Sequence, residues 1–163
     1  MDLIRYQPSS DESGQLTAKL DQLLTDYEIY HRNLRRIHWD QSLRPFLDFT
    51  DKLDKLYHIV DNSKHAVAEN LLSLGGQPDL KNIEIAHLLP NTRINALMEI
   101  CTFEEAIQGI LQNSHALQEE VKEVFMLATQ LSETGTQQLM VALNQQLMFT
   151  QAVFNGVRLA QLN

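Results

Sequence analysis

The stretch LDKLYHIVDNSKHAVAEN, residues 53–70, carries Asp54, His58, Asp61, His65 and Glu69 at steps of four, three, four and four. On an α-helix those steps stack side chains above one another, so five imidazole and carboxylate groups share roughly one face. Imidazole and carboxylate are the donors that hold divalent metals such as iron and zinc. A solvated helix face is the more ordinary origin of such a pattern, and spacing alone leaves both readings open. Asp54 and His65 are eleven residues apart, about 16 Å along a helix axis. Bonds from nitrogen or oxygen to a transition metal are about 2.0–2.2 Å, so the two ends cannot grip one ion within one chain. They can if a second copy of the helix runs antiparallel across a two-fold axis. Asp54 of one chain then approaches His65 and Glu69 of the other, and two equivalent sites result. His58 and Asp61 fall near that axis, where a hydrogen bond between subunits is expected.

Helical periodicity surrounds this face. Leu16, Leu20, Leu23, Leu24, Tyr27, Tyr30, Leu34 and Ile37 predict a first helix from about residue 15 to Trp39, with residues 1–14 as a flexible tail. Pro45 marks a break. Phe49, Leu53, Leu56, Val60, Val67 and Leu71 predict a second helix from near Phe46 to LGGQP, with Gly75 as the left-handed cap and Pro78 barring continuation. A short helix is expected in the crossover, around KNIEIAHLL, before Pro90. Thr102 followed by Glu104 and Glu105 reads as the cap of a helix running to Ser132, stopped by Gly135. A last helix is expected from about Thr136 to Leu162. No strand pattern and no internal repeat is visible. Residues 15–163 thus predict an all-α, ferritin-like four-helix bundle with a short helix in the long crossover between helices two and three. A bundle-internal di-iron site, built from a Glu and a Glu-x-x-His pair in each half, is not expected. Tyr27, Tyr30, Met140 and Met148 read as packing residues, and His87 and His115 as surface or satisfied core.

Composition excludes several classes of function. The 163 residues are 44% apolar, with six Gly and four Pro, which suits one regular domain. A single cysteine, Cys101, rules out an internal disulfide and suits a reducing cytoplasm. No signal peptide or transmembrane run is expected. The net charge is −8, which opposes binding through phosphate neutralisation and favours the approach of cations. Arg32, Arg35 and Arg36 read as solvated or ion-paired rather than as a DNA footprint.

The segment NLRRIHWDQSLRPFLDFTDKLDKLYHIVDNSKHAVAENLLSLGGQP resembles the signature of the Dps family (DNA-binding protein from starved cells, the mini-ferritins). The family pattern is His-Trp, His-x-x-x-Asp, Asp-x-x-x-Glu and Leu-Gly-Gly, and it aligns without a gap from His38 to Gly76. The resemblance implies a hollow shell of twelve subunits, built from two-fold dimers, that oxidises Fe(II) with hydrogen peroxide or oxygen and stores ferric mineral. Its metal sites lie between two-fold-related subunits. Carried over, His38 and Asp54 match ligands from one chain and Glu69 the bridging carboxylate from the other. Two positions depart from the pattern: Thr50 stands where the family has His, and His65 where it has Asp. One imidazole is lost on one side of the interface and another is gained on the facing side. This resembles a histidine-type site found among cyanobacterial members.

The implied ligand set is therefore His38, Asp54, His65 and Glu69, with Thr50, His58 and Asp61 as candidates to act from just outside it. Exchanging a carboxylate for imidazole shifts metal preference toward zinc, so a structural or zinc-buffering shell is the alternative function. Trp39, beside His38, reads as an interface anchor or a quencher of stray oxidising equivalents. DNA binding is not implied, because MDLIRYQPSSDESG holds one arginine against three acids.

Overall fold

The structure is a computed structural model and describes residues 10–78, 92–94 and 102–162. Four long helices make up nearly all of it: α1 (Ser10–Trp39), α2 (Leu47–Ser73), α3 (Phe103–Gln130) and α4 (Thr134–Gln161). α1 packs on α2 and α3, and α4 on α2 and α3. The α1–α2 face and the α3–α4 face are therefore opposite sides of one bundle. Among the described residues there is no strand. This is the ferritin-like four-helix bundle that periodicity predicts. The expected crossover helix, His87 and Cys101 lie outside the described residues.

The core is a single cluster. Leu20, Leu23, Tyr27, Tyr30 and Leu34 of α1 meet Phe49, Leu53, Val60 and Val67 of α2, Ile107, Ile110, Leu117 and Val121 of α3, and Met140, Leu143, Leu147 and Phe154 of α4. Phe49 lies edge-on to both Phe103 and Phe154, with ring centroids 5.0 and 6.0 Å away. Such contacts add about 0.5–1.5 kcal/mol each to the burial itself. Met148, expected in the core, is instead 53% exposed. The buried stripe of this helix runs through Met140, Leu143, Leu147, Thr150, Phe154 and Val157, and Met148 stands about 100° around the helix from Leu147, off that narrow stripe.

The helix ends show what local chemistry decides. α1 begins at Ser10, about five residues earlier than its apolar pattern. Ser10–Gly14 of the expected tail is thus helical, and residues 1–9 lie outside the described residues. Asp11 and Glu12 sit in that first turn, where carboxylates complement the helix dipole. Past Trp39, Ser42 donates from its backbone N–H and its hydroxyl to Asp40 Oδ1 (2.9 and 2.6 Å), and these bonds hold the Asp40 carboxyl below its usual range. α2 ends as LGG requires. Gly75 has φ of +81°, a conformation that carries little steric cost only without a Cβ. Gly76 donates its N–H to Leu71 O, and a Cβ on it would lie 2.4 Å from Leu71 Cδ1. α3 carries a complete capping box, in which Glu105 N–H donates to Thr102 Oγ1 and Thr102 N–H to Glu105 Oε2. Gly135 is not the stop after α3. The left-handed residue is Ser132 (φ 58°), and Gly135 lies in the first turn of α4.

Candidate metal centre

The α1–α2 face presents the sequence-predicted residues outward. His38 is exposed in the last turn of α1. On α2, the side chains of Asp54, His58 and His65 are 55%, 68% and 68% exposed, and Glu69 is also exposed. Their outward aim follows from the register of Leu53, Leu56, Val60, Val67 and Leu71, which turn the opposite side of α2 into the core.

Within the face, two pairs meet across single turns. His58 Nε2 stands 3.9 Å from Asp54 Oδ1, and His65 Nε2 stands 3.8 Å from Asp61 Oδ1. Asp-x-x-x-His thus occurs twice, seven residues apart. Among the described residues of the single chain, no three His, Cys, Asp or Glu side chains converge as a metal-holding group. Thr50 does not point its hydroxyl freely at the face, since its Oγ1 donates to Phe46 O at 3.1 Å. Trp39 is 69% exposed, with the Arg35 guanidinium 5.4 Å above its ring.

Behind the face lies a charged network that the sequence reading did not single out. Lys64 Nζ is 3.0 Å from Glu28 Oε2, 3.3 Å from Asp61 Oδ1 and 3.4 Å from His31 Nδ1. Glu28 also faces Arg32 Nε at 3.6 Å. His31, 7% exposed, stacks on Tyr57 with centroids 4.3 Å apart. Its Nδ1 takes the Lys64 contact, which leaves the ring proton on Nε2, 3.7 Å from Asp61 Oδ1. Burial and the Lys64 charge lower the His31 pKa. Desolvation acts to raise that of Asp61, but the Lys64 hydrogen bond and charge, with His31 and His65, outweigh it and hold the carboxyl below its usual range. Glu28 and His31 stand at Glu-x-x-His spacing, so the motif that a bundle-internal di-iron site uses is present in the chain, contrary to the sequence reading that finds none. The ammonium of Lys64 fills the space between them, so they do not form an open pair of ligands. A second pair at this spacing, Glu84 and His87, lies outside the described residues. The signal in sequence was there: Glu28 and His31 one turn apart on α1, Asp61 and Lys64 one turn apart on α2.

A separate acidic cluster is buried between α1 and α3. Asp26 is fully buried and Glu120 is 5% exposed. Asp26 Oδ2 accepts from the Arg93 N–H at 3.3 Å, and Arg93 forks onto Glu123 at 2.7 and 2.9 Å while its Nε lies 3.7 Å from Glu120 Oε1. Burial, followed by the hydrogen bond and charge of Asp26, raises the Glu120 pKa so that it keeps its proton at neutral pH. Burial likewise raises the Tyr27 phenol, with Glu120 adding to it. This cluster ties the crossover to the bundle through Arg93 and lies away from the outward face.

No family model matches the chain. An uncharacterised protein of Haemophilus influenzae is 27% identical over 125 residues, covering 77% of this chain and 76% of that protein. A DNA protection during starvation protein of Porphyromonas gingivalis is 35% identical over 60 residues, 37% of this chain and 38% of its own length. Among solved structures, the Dps protein of Vibrio cholerae, described as a member of the ferritin-like diiron-carboxylate proteins, superposes with a TM-score of 0.81 at 18% identity, covering 96% of this chain and 98% of that one. The chain has the ferritin-like fold of the Dps proteins, and over 60 residues its sequence is similar to that of one DNA protection during starvation protein.

Proposed function

We propose that this chain is the subunit of a mini-ferritin shell that binds Fe(II) between two-fold-related copies, oxidises it with hydrogen peroxide or oxygen, and retains the ferric product. His38 and Asp54 of one chain act with His65 and Glu69 of the other. The observation that carries this reading is the α1–α2 face, where imidazole and carboxylate groups stand exposed at helical spacing and where, among the described residues, no three converge within one chain. That pattern suits donors completed by a second copy. Exposed apolar side chains on both sides of the bundle support assembly: Trp39, Leu47 and Leu72 on or beside α1 and α2, and Phe125, Met126, Val141, Met148 and Phe149 on α3 and α4. A closed shell of twelve, built from dimers, is the assembly that the family resemblance implies.

The chemistry asked of these residues is modest. Two Fe(II) ions each give up one electron, the O–O bond of one peroxide breaks, and with two protons two waters leave. The carboxylates of Asp54 and Glu69 favour the ion as its charge rises from +2 to +3. The imidazoles of His38 and His65 bind as neutral donors and keep the site from becoming too anionic to release product. Consuming Fe(II) and peroxide together in the cytoplasm removes both reagents of hydroxyl-radical formation, which protects DNA without contact. The exchange of carboxylate for imidazole at position 65 favours one other reading, a shell that holds zinc without turnover.

The test is to load metal-free protein with Fe(II) anaerobically, inject peroxide or air, and follow ferric absorbance. Rapid stoichiometric oxidation that is lost in His65→Ala supports the ferroxidase. Oxidation no faster than in buffer, with tight zinc binding retained, selects the zinc-holding shell.

A further inference from the structure

We infer that Asp61 is the positioning residue of this site: it fixes the ring of His65, and Lys64 and Glu28 fix Asp61 in turn. The inference rests on the proposed role of His65 as a ligand. His65 is 68% exposed on a helix face, and a side chain so placed is free to sample several rotamers. Asp61 stands beside it, one turn back, with Oδ1 3.8 Å from Nε2. A small rotation of the imidazole turns that approach into a hydrogen bond. Nε2–H then donates to the carboxylate, and the Nδ1 lone pair is left for a metal. Ligand histidines are commonly held this way by a carboxylate on their other nitrogen, which sets the tautomer and makes the ring a better donor.

Asp61 is itself well placed to impose an orientation. Its Oδ1 receives Lys64 Nζ at 3.3 Å, and the His31 ring edge lies 3.7 Å away. Lys64 is anchored across the helix pair by Glu28 of α1 at 3.0 Å. The line Glu28–Lys64–Asp61–His65 therefore runs from the half-buried α1–α2 seam to the exposed imidazole. With Lys64 Nζ against Oδ1, Asp61 is held with its carboxylate oxygens as acceptors. It is tied inward toward Lys64, whereas Asp54 and Glu69 extend outward. That difference separates a group that orients a ligand from one that is a ligand.

The test is a double-mutant cycle on the full-length protein, read by titration of the metal-free form with Co(II), whose d–d bands report the ligand field. Asp61→Ala is expected to lower Co(II) affinity about 10- to 100-fold. Asp61→Asn keeps an acceptor oxygen and is expected to recover most of that loss. In a His65→Ala background, Asp61→Ala should have almost no further effect, because its action passes through the imidazole. Losses that add in the double variant, or an Asp61→Ala affinity within about twofold of wild type, overturn the inference while leaving His65 a ligand. An unchanged Co(II) affinity in His65→Ala removes His65 from the site, and the inference falls with that reading. Asp61 is partly exposed and off the apolar core, so folding of the variants can be confirmed by circular dichroism.

Discussion

At the scale of single residues, the candidate donors were legible because metal chemistry restricts which side chains suffice and helix geometry restricts their spacing. Asp54, His65 and Glu69 stand out in LDKLYHIVDNSKHAVAEN for that reason. Thr50 and the groups behind the face were harder to place. A threonine in a family histidine position invites a role, and since its hydroxyl proton goes to Phe46 O, its oxygen is left only as an acceptor. Thr50→Ala is accordingly expected to change Co(II) affinity by less than about twofold, or 0.4 kcal/mol. The buried pair Asp26 and Glu120 gave no warning in sequence, because a carboxylate within a helical heptad reads as surface unless a partner from another element is known. Its partner, Arg93, comes from the crossover. Glu120 has its pKa raised on folding. Its contribution is therefore fully present below the unfolded carboxylate pKa of about 4.3 and is lost progressively as pH rises toward the folded value. Glu120→Gln, which is neutral throughout, is expected to match wild-type stability near pH 4 and to exceed it increasingly toward pH 8. Urea melts at several pH values check this, and a pH-independent difference would contradict it.

At the scale of elements, apolar periodicity located all four helices, since a stripe that must enter the core cannot be hidden. The ends obeyed local rules of unequal visibility. The capping box at Thr102 and the left-handed Gly75 are encoded by side chains specialised for those tasks. The start of α1 is not, because Ser10–Gly14 bury little apolar surface and their helicity rests on dipole and backbone terms. The α3–α4 turn was misplaced because serine occupies the left-handed position, which glycine would fill with less strain. Ser132→Gly should therefore stabilise the fold by about 0.5–1 kcal/mol, relief of the αL strain exceeding the added entropy of the unfolded glycine. Denaturant midpoints measure this, and a loss of stability would show that the Ser132 side chain contributes more than it strains.

At the scale of the whole molecule, the proposed function makes the chain one part of a larger assembly. Its candidate donors face outward, and apolar groups remain exposed on opposite sides of the bundle. Four-helix architecture is legible in one sequence, whereas the proposed site is legible only as a requirement for a second copy. The arithmetic of eleven residues on one helix carries that requirement. A particle of roughly twelve times the 18.7 kDa chain is expected in light scattering, with symmetric closure. The most direct measurement of the central claim is complementation between two inactive variants. Asp54→Ala and His65→Ala are each expected to lose tight Co(II) binding. A mixed two-fold dimer of the two has one site lacking both groups and one site intact. Subunits unfolded together and reassembled at equal ratio should therefore regain about a quarter of the wild-type sites, because half of the dimers are mixed and each restores one of two sites. Recovery at that level is the predicted result. Wild-type-like assembly with no recovered binding would contradict the claim that metal is held between chains.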